Sequence, residues 1–146
     1  MNLEERLALL GGLTKGGMRD LAGLTAADVG AVSHFAAAAF QSKKFEISAK
    51  AFAALAALEP DSPLHLVHLA HALAGQGDKV GAVEAIDRFL AQERPGSAAD
   101  MVRALMLRAE LVAGTDRVGA ENDLKAAHII AAGSPLAQQI LAGSAP

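Results

Sequence analysis

Three histidines have the only spacing in this chain that suits metal chemistry. His65, His68 and His71 lie three residues apart, and neutral imidazole is the commonest metal ligand in proteins. On a helix each three-residue step turns by about 300°, so the first and last histidine are about 120° apart around the axis. An adjacent pair would need ligands from elsewhere, and the chain has no cysteine to supply them. We therefore expect surface or groove histidines, with no metal and no cofactor, and their role stays open.

The other polar motifs do not predict a catalytic site. Acid–base catalysis uses carboxylates in a paired, apolar setting. The following acidic side chains instead lie among solvated helical faces: Glu4, Glu5, Asp78, Glu84, Glu110 and Glu121. The segment GGLTKGG at 11–17 lacks the spacing of a phosphate-binding loop, and no strand precedes it. We expect that the protein is not an enzyme.

The composition favours a single all-α domain. The chain has 146 residues and a hydrophobic fraction of 52%, which consists mainly of Ala and Leu, both strong helix formers. A net charge of −3 without a basic block gives no electrostatic footprint for nucleic acid. No signal peptide is recognisable and no apolar run approaches the length of a membrane span. We therefore expect a cytosolic location without membrane insertion.

One stretch of the chain recurs twice, at intervals of 34 and then 38 residues, in the segments 43–63, 77–95 and 115–133. Each segment has a small residue four positions before a larger apolar one: Ser48 and Phe52, Ala82 and Ile86, Ala120 and Leu124. Helical patterning with a period of about 34 residues is typical of the two-helix tetratricopeptide repeat, whose units stack to bury their apolar faces. The repeat predicts a binding scaffold, a superhelix of three helix pairs.

Glycine, proline and capping residues divide the chain into elements. Segment 1–24 is expected to be partly helical and mobile. Its apolar residues outside the repeats predict a homodimer contact, namely Leu3, Leu7, Leu10, Leu13, Met18, Leu21 and Leu24. The repeat domain is expected to cover 25–146. Its expected N-cap residues are Ser62, Ser97 and Ser134. The expected helices are 26–42, 45–58, 63–74, 79–92, 98–113 and 117–131, with a closing helix at 136–141.

The second helix pair has the clearest apolar pattern. One face of its first helix should pack against the matching face of its partner. These core residues are Leu66, Leu69, Ala70 and Leu73 on the first helix, and Ala82, Ile86 and Phe89 on the second.

Three segments together resemble a known family: GLTAADVGAVSHFAAAAF, SKKFEISAKAFAALAALEP and RAELVAGTDRVGAENDLKAAHIIA. The most specific pieces are the turn Lys44-Phe45-Glu46, the Phe52 and Leu55 spacing behind it, and Ala109-Glu110. Residues 18–142 are similar to the class II chaperones of bacterial type III secretion, the SycD/LcrH type. The resemblance implies three tetratricopeptide repeats that hold hydrophobic translocator proteins in the bacterial cytoplasm before export. It also implies a concave groove for an extended client segment and self-association through the N-terminal region.

Applied through the repeat register, the resemblance places the client groove on the first helix of each pair. Phe40 and Phe45 are the strongest candidates, because aromatic side chains bury large areas and suit anchor pockets; the alternative is that Phe40 is a core residue. Relatives commonly place Tyr or Phe where this chain has Ser33 and Ala37, so either the groove is shallower or the client differs. The groove residues are Ser33, Ala37, Phe40, Phe45, Leu64, Val67, His68, His71, Leu105, Ala109 and Val112.

Two functions follow from the sequence. The first is a chaperone that binds an apolar segment of secreted translocator proteins and keeps them soluble before export. The alternative is a tetratricopeptide adaptor that scaffolds another complex. The N-terminal segment and the third repeat favour the chaperone, because a generic repeat array predicts neither.

Overall fold

A computed structural model describes residues 26–92 and 96–143. Throughout these ranges the regular structure is helical, in agreement with the expected all-α class. The helices are α1 Ala26–Gln41, α2 Phe45–Leu58, α3 Leu64–Gln76, α4 Lys79–Leu90, α5 Ala98–Val112, α6 Arg117–Ala131 and α7 Pro135–Gly143. None of these described helices is both long and apolar enough to cross a membrane. The expected dimer contact in segment 1–24 lies outside the described residues.

The helices follow one another in space as they do along the chain. The main contacts join each helix to the next, and they also join α3 to α5 and α5 to α7. Contacts between near neighbours alone are typical of a stack that grows in one direction. The contact between α3 and α5 lays these two helices side by side, which positions part of the candidate binding surface.

Two aspartates account for the pattern that the second and third segments share. Asp78 and Asp116 cap α4 and α6, accepting hydrogen bonds from the backbone N–H groups of Gly81 and Gly119, each at 2.9 Å. A Cβ at either glycine would overlap the carboxylate of its capping aspartate. The shared pattern Asp-x-Val-Gly-Ala is thus the start of a capped helix, in which the glycine leaves room for the capping carboxylate. In the first segment Lys44 takes the N-cap position of α2 without a side-chain hydrogen bond.

The serine caps are confirmed at two positions of three. Ser97 accepts a hydrogen bond from Asp100 N at 3.2 Å, and Ser134 accepts one from Ala137 N at 3.2 Å. The prediction for Ser62 is wrong, because Pro63 is the N-cap residue of α3. Ser62 instead donates its N–H to the Glu59 carbonyl at 3.0 Å, closing the preceding turn.

The predicted end of α3 at residue 74 is two residues short. The helix continues through Gly75 and stops at Gln76, where Gly77 follows with a φ of 91°. This left-handed conformation is one that glycine adopts without a steric penalty. The Gly77 N–H bonds to the Ala74 carbonyl at 3.0 Å.

The described residues bury two hydrophobic clusters. The larger cluster is formed by residues of α1, α2, α3 and α4, together with Ala104 and Leu107 of α5. The smaller one joins α5 to α7 and consists of Val102, Leu105, Ala127, Ala131 and Ala137. The residues expected to pack in the second helix pair belong to the larger cluster or pack against it: Leu66, Leu69, Ala70, Leu73, Ala82, Ile86 and Phe89.

The small residues of the repeat are buried in all three segments. Ser48, Ala82 and Ala120 are all buried, and the Ser48 hydroxyl donates to the Ala36 carbonyl at 3.0 Å. Of the larger residues four positions later, Phe52 and Ile86 are buried, whereas Leu124 is 42% exposed. Leu124 lies in an open recess that is also lined by Ile140 of α7.

Arg108 connects three helices through one side chain. Its Nε and Nη2 donate to the two carboxylate oxygens of Asp123 on α6 at 2.8 and 2.7 Å, and its Nη1 donates to Asp87 on α4 at 2.9 Å. The residues twelve positions before Ser48 and Ala82 are Ala36 and Ala70, whereas Arg108 lies twelve before Ala120. A charged side chain therefore occupies a place that is alanine in the first two helix pairs.

Candidate functional site

Two cavities lie side by side and share His71 in their walls. The aromatic cavity has a volume of about 300 Å³ and is lined by Ala37, Phe40, Gln41, Phe52, His68 and His71. The larger cavity, about 780 Å³, extends from His71 along α5 to α6 and α7. Its apolar wall includes Met106, Leu107, Leu124 and Ile140, and Arg103 and Glu110 are its charged residues.

The aromatic cavity is built by the first three helices. α1 contributes Ala37, Phe40 and Gln41, which share one side of the helix through their three- and four-residue spacing. Phe52 of α2 forms the floor, since it is buried among the core residues. Phe40 keeps 36% of its surface exposed. The result is an apolar recess with one aromatic ring open to solvent.

Phe45 supports this recess from behind. Its ring packs edge-on against that of Phe40, with centroids 5.5 Å apart and an interplanar angle of 69°. On its other side it lies against the backbone of Gly75, where a Cβ would come within 2.6 Å of the Phe45 ring. Phe45 is not in the wall of the aromatic cavity. Phe45 instead lines a separate recess that includes Ile47 and Gln76, and it contacts the site through the Phe40 ring.

His68 and His71 form the wall on α3. The His68 ring packs on Phe52, with centroids 5.0 Å apart, although the residue as a whole is exposed. Burial lowers the pKa of His68, and the neighbouring His65 and His71 lower that pKa further. Burial also lowers the pKa of His71, although Glu110 opposes the shift. Both imidazoles are therefore neutral at neutral pH and present a polarisable, uncharged surface.

His65 belongs to a different environment. Its Nε2 lies 2.9 Å from Glu59 Oε1, while its Nδ1 is buried without a hydrogen-bond partner. It lines neither cavity. Across residues 26–92 and 96–143, no three His, Asp or Glu side chains are grouped so that they could hold a metal ion.

The structure brings four of the residues predicted for the groove together around the aromatic cavity: Ala37, Phe40, His68 and His71. Ala109 lies in the wall of the larger cavity, but its side chain is almost fully buried. Ser33, Leu64 and Val112 are half-buried and line neither cavity.

Val67 and Leu105 do not belong to the open surface. Val67 is 1% exposed and Leu105 is 5% exposed. The reason is that α3 packs against α2, α4 and α5, while α5 packs against α3, α4, α6 and α7. Helices covered on so many sides leave only a narrow open strip, and on α3 that strip carries His68 and His71.

Sequence reasoning missed the charged part of the site. Arg103, Met106 and Glu110 line the larger cavity, and they recur at intervals of three and four residues on α5. This periodicity marks one helix face and would have identified them. Ile140 of α7 had no such signal, because its place depends on how the closing helix packs.

No model of a known protein family, no curated protein and no solved structure matches this chain.

Proposed function

We propose that this protein is a chaperone that binds an extended apolar segment of a client protein along the two cavities. The observation that carries the proposal is the aromatic cavity, in which Phe40 remains open to solvent above the buried Phe52. Recesses lined by apolar and aromatic side chains with a few polar groups are typical binding sites. Aromatic residues in such recesses also supply a large share of binding energy.

The arrangement of the helices favours an extended client. The aromatic cavity lies on α1 to α3, the larger cavity continues over α5 to α7, and His71 borders both. A segment that crosses these helices could place one apolar side chain in each cavity. The charged residues of the larger cavity, Arg103 and Glu110, would contact polar groups of the same segment.

The fold that we propose is a tetratricopeptide superhelix of three pairs, with α7 as the closing helix. It is supported by the near-neighbour contacts of the helices and by the buried small residues at Ser48, Ala82 and Ala120. Combined with the resemblance of residues 18–142, this leads to a class II chaperone of type III secretion that holds translocator proteins in the bacterial cytoplasm.

One observation supports the second candidate function, that of an adaptor protein. Val80 and Val118 occupy equivalent places in the first turns of α4 and α6, and they are 71% and 68% exposed. Neither lines a cavity, so a partner that contacts them would bind a different surface. Genes for large proteins with membrane-spanning segments beside this gene would favour the chaperone.

The test begins with the client itself. The tagged protein is recovered from its native cell, the bound protein is identified by mass spectrometry, and its affinity is measured for two variants. Phe40→Ala should weaken binding by about 2 kcal/mol, or about thirtyfold, as expected for an aromatic anchor. Ile129→Ala removes a side chain that is 76% exposed on α6 and lines neither cavity, so it serves as the control.

Both variants must first show unchanged helicity and melting. Equal affinity of Phe40→Ala and the unaltered protein, together with weak binding by Ile129→Ala, would move the site to the surface of α6 and refute the proposal.

A further inference from the structure

The aromatic cavity has two titratable groups in a wall that is otherwise uncharged. His68 and His71 are those groups, and the remaining lining residues are Ala37, Phe40, Gln41 and Phe52. The two histidines lie one helical turn apart on α3, and His68 packs its ring on Phe52. Any apolar group that fills this cavity therefore contacts two side chains that can acquire a positive charge.

The charged neighbours of the two imidazoles come from α3 and α5. On α3, His65 opposes protonation of His68. On α5, Asp100 favours protonation of His68, Glu110 favours that of His71, and Arg103 opposes both. The sides turned to α1 and α2 are uncharged, and charged residues of α4 do not contribute to either pKa shift. Burial is the largest influence at both histidines.

We propose that filling of the aromatic cavity by an apolar client segment is coupled to the loss of protons from His68 and His71, so that mild acid empties the cavity. This inference rests on the proposed function and adds a regulator to the same site. Its physical basis is that an apolar occupant removes the water that would solvate a charged imidazole.

The direction in which affinity changes with pH follows from the linkage between proton binding and occupation of the cavity. In the empty protein both pKa values already lie below the ordinary value of 6.5, and an apolar occupant lowers them further. Affinity should therefore be constant well above that pH and should fall as the pH decreases below it. Each proton that must leave weakens binding by up to about tenfold per pH unit.

The test uses N-phenyl-1-naphthylamine, a neutral apolar dye, as the probe. The chain has no Trp and no Tyr, so the exchange Ala38→Trp on the exposed side of α1 gives a single energy donor close to the cavity. Energy transfer to the dye then reports binding near α1, and Phe40→Ala in the same background tests whether the dye occupies the aromatic cavity. The dissociation constant is measured from about pH 8 to about pH 5, with circular dichroism at each pH.

Two variants, compared with the parent in this background, separate the possible causes. In the parent, the dissociation constant should rise towards the acid end, by up to about tenfold per pH unit for each histidine. In the double variant His68→Gln and His71→Gln, the ratio of the acid to the neutral constant should approach one. The variant His34→Gln removes an exposed histidine of α1 that lines neither cavity, and it should behave like the parent.

Calorimetry gives an independent measurement without any change of pH. At about pH 6, dye binding to the parent in two buffers of different ionisation enthalpy should show proton release, which the double variant should lack. A constant affinity across the pH range, no proton release, or an unchanged pH dependence in the double variant would overturn the inference. If Phe40→Ala leaves energy transfer to the dye intact, the proposed binding site fails instead.

Discussion

Loss of the Arg108 side chain should destabilise the packing of α5 against its neighbours α4 and α6. Arg108 holds α5 to α6 through two hydrogen bonds to Asp123 and holds α5 to α4 through one to Asp87. These hydrogen bonds raise the pKa of Arg108, with Asp123 as the largest cause. Arg108→Ala removes both ion pairs and leaves the Asp123 carboxylate without its cation.

The expected loss in the free energy of unfolding depends on how deeply Asp123 and Arg108 are buried. Asp123 is 7% exposed, and abandoning one partner of a fully buried pair costs about 3–5 kcal/mol. The Arg108 side chain is 26% exposed, so water replaces part of the lost solvation, and we expect about 2–3 kcal/mol. The Asp87 side chain is 54% exposed, so Asp87→Asn should cost only about 0–1 kcal/mol.

Urea unfolding followed by circular dichroism measures both variants. The double exchange of Arg108→Met with Asp123→Leu should recover most of the loss, because an apolar pair of similar size needs no desolvation of charge. If Arg108→Ala lowers the free energy of unfolding no more than Asp87→Asn does, the buried pair with Asp123 does not hold these helices together.

Two further predictions use features of single elements. Gly75→Ala should lower the free energy of unfolding by about 1–2 kcal/mol, because its Cβ would come within 2.6 Å of the Phe45 ring. At Gly30 a Cβ meets no atom within 4 Å, so Gly30→Ala should raise the free energy of unfolding by up to about 1 kcal/mol through helix propensity. A lower melting temperature for Gly30→Ala than for Gly75→Ala would contradict this packing. Deletion of residues 1–24 should convert the expected homodimer into a monomer, as measured by light scattering. A truncated chain that stays dimeric would place the contact elsewhere.

The helix bounds could be predicted because local residues determine them. Ser97 and Ser134, both predicted as caps, cap their helices through hydrogen bonds that span three residues. The failure at Ser62 shows the limit, since a serine before proline can close a turn instead. Signals of this kind need no knowledge of the tertiary structure.

The candidate site could be predicted only in part. The repeat register identified His68 and His71, but it also selected Val67, which is buried by the helices around α3. Which side of a helix stays open depends on every helix that packs on it. The pairing of Arg108 with Asp123 and Asp87 was likewise invisible, because it joins residues 15 and 21 positions apart.

The two hydrophobic clusters imply that the cavities differ in how long they persist. The wall of the aromatic cavity comes from α1 to α3 alone, within the larger cluster. The larger cavity also depends on α6 and α7, whose cluster is smaller and consists mostly of alanine. Local unfolding usually begins where few apolar contacts oppose it, so the amides of α7 should exchange their hydrogens before those of α3. One end of a bound segment would then be released while the other end stays anchored.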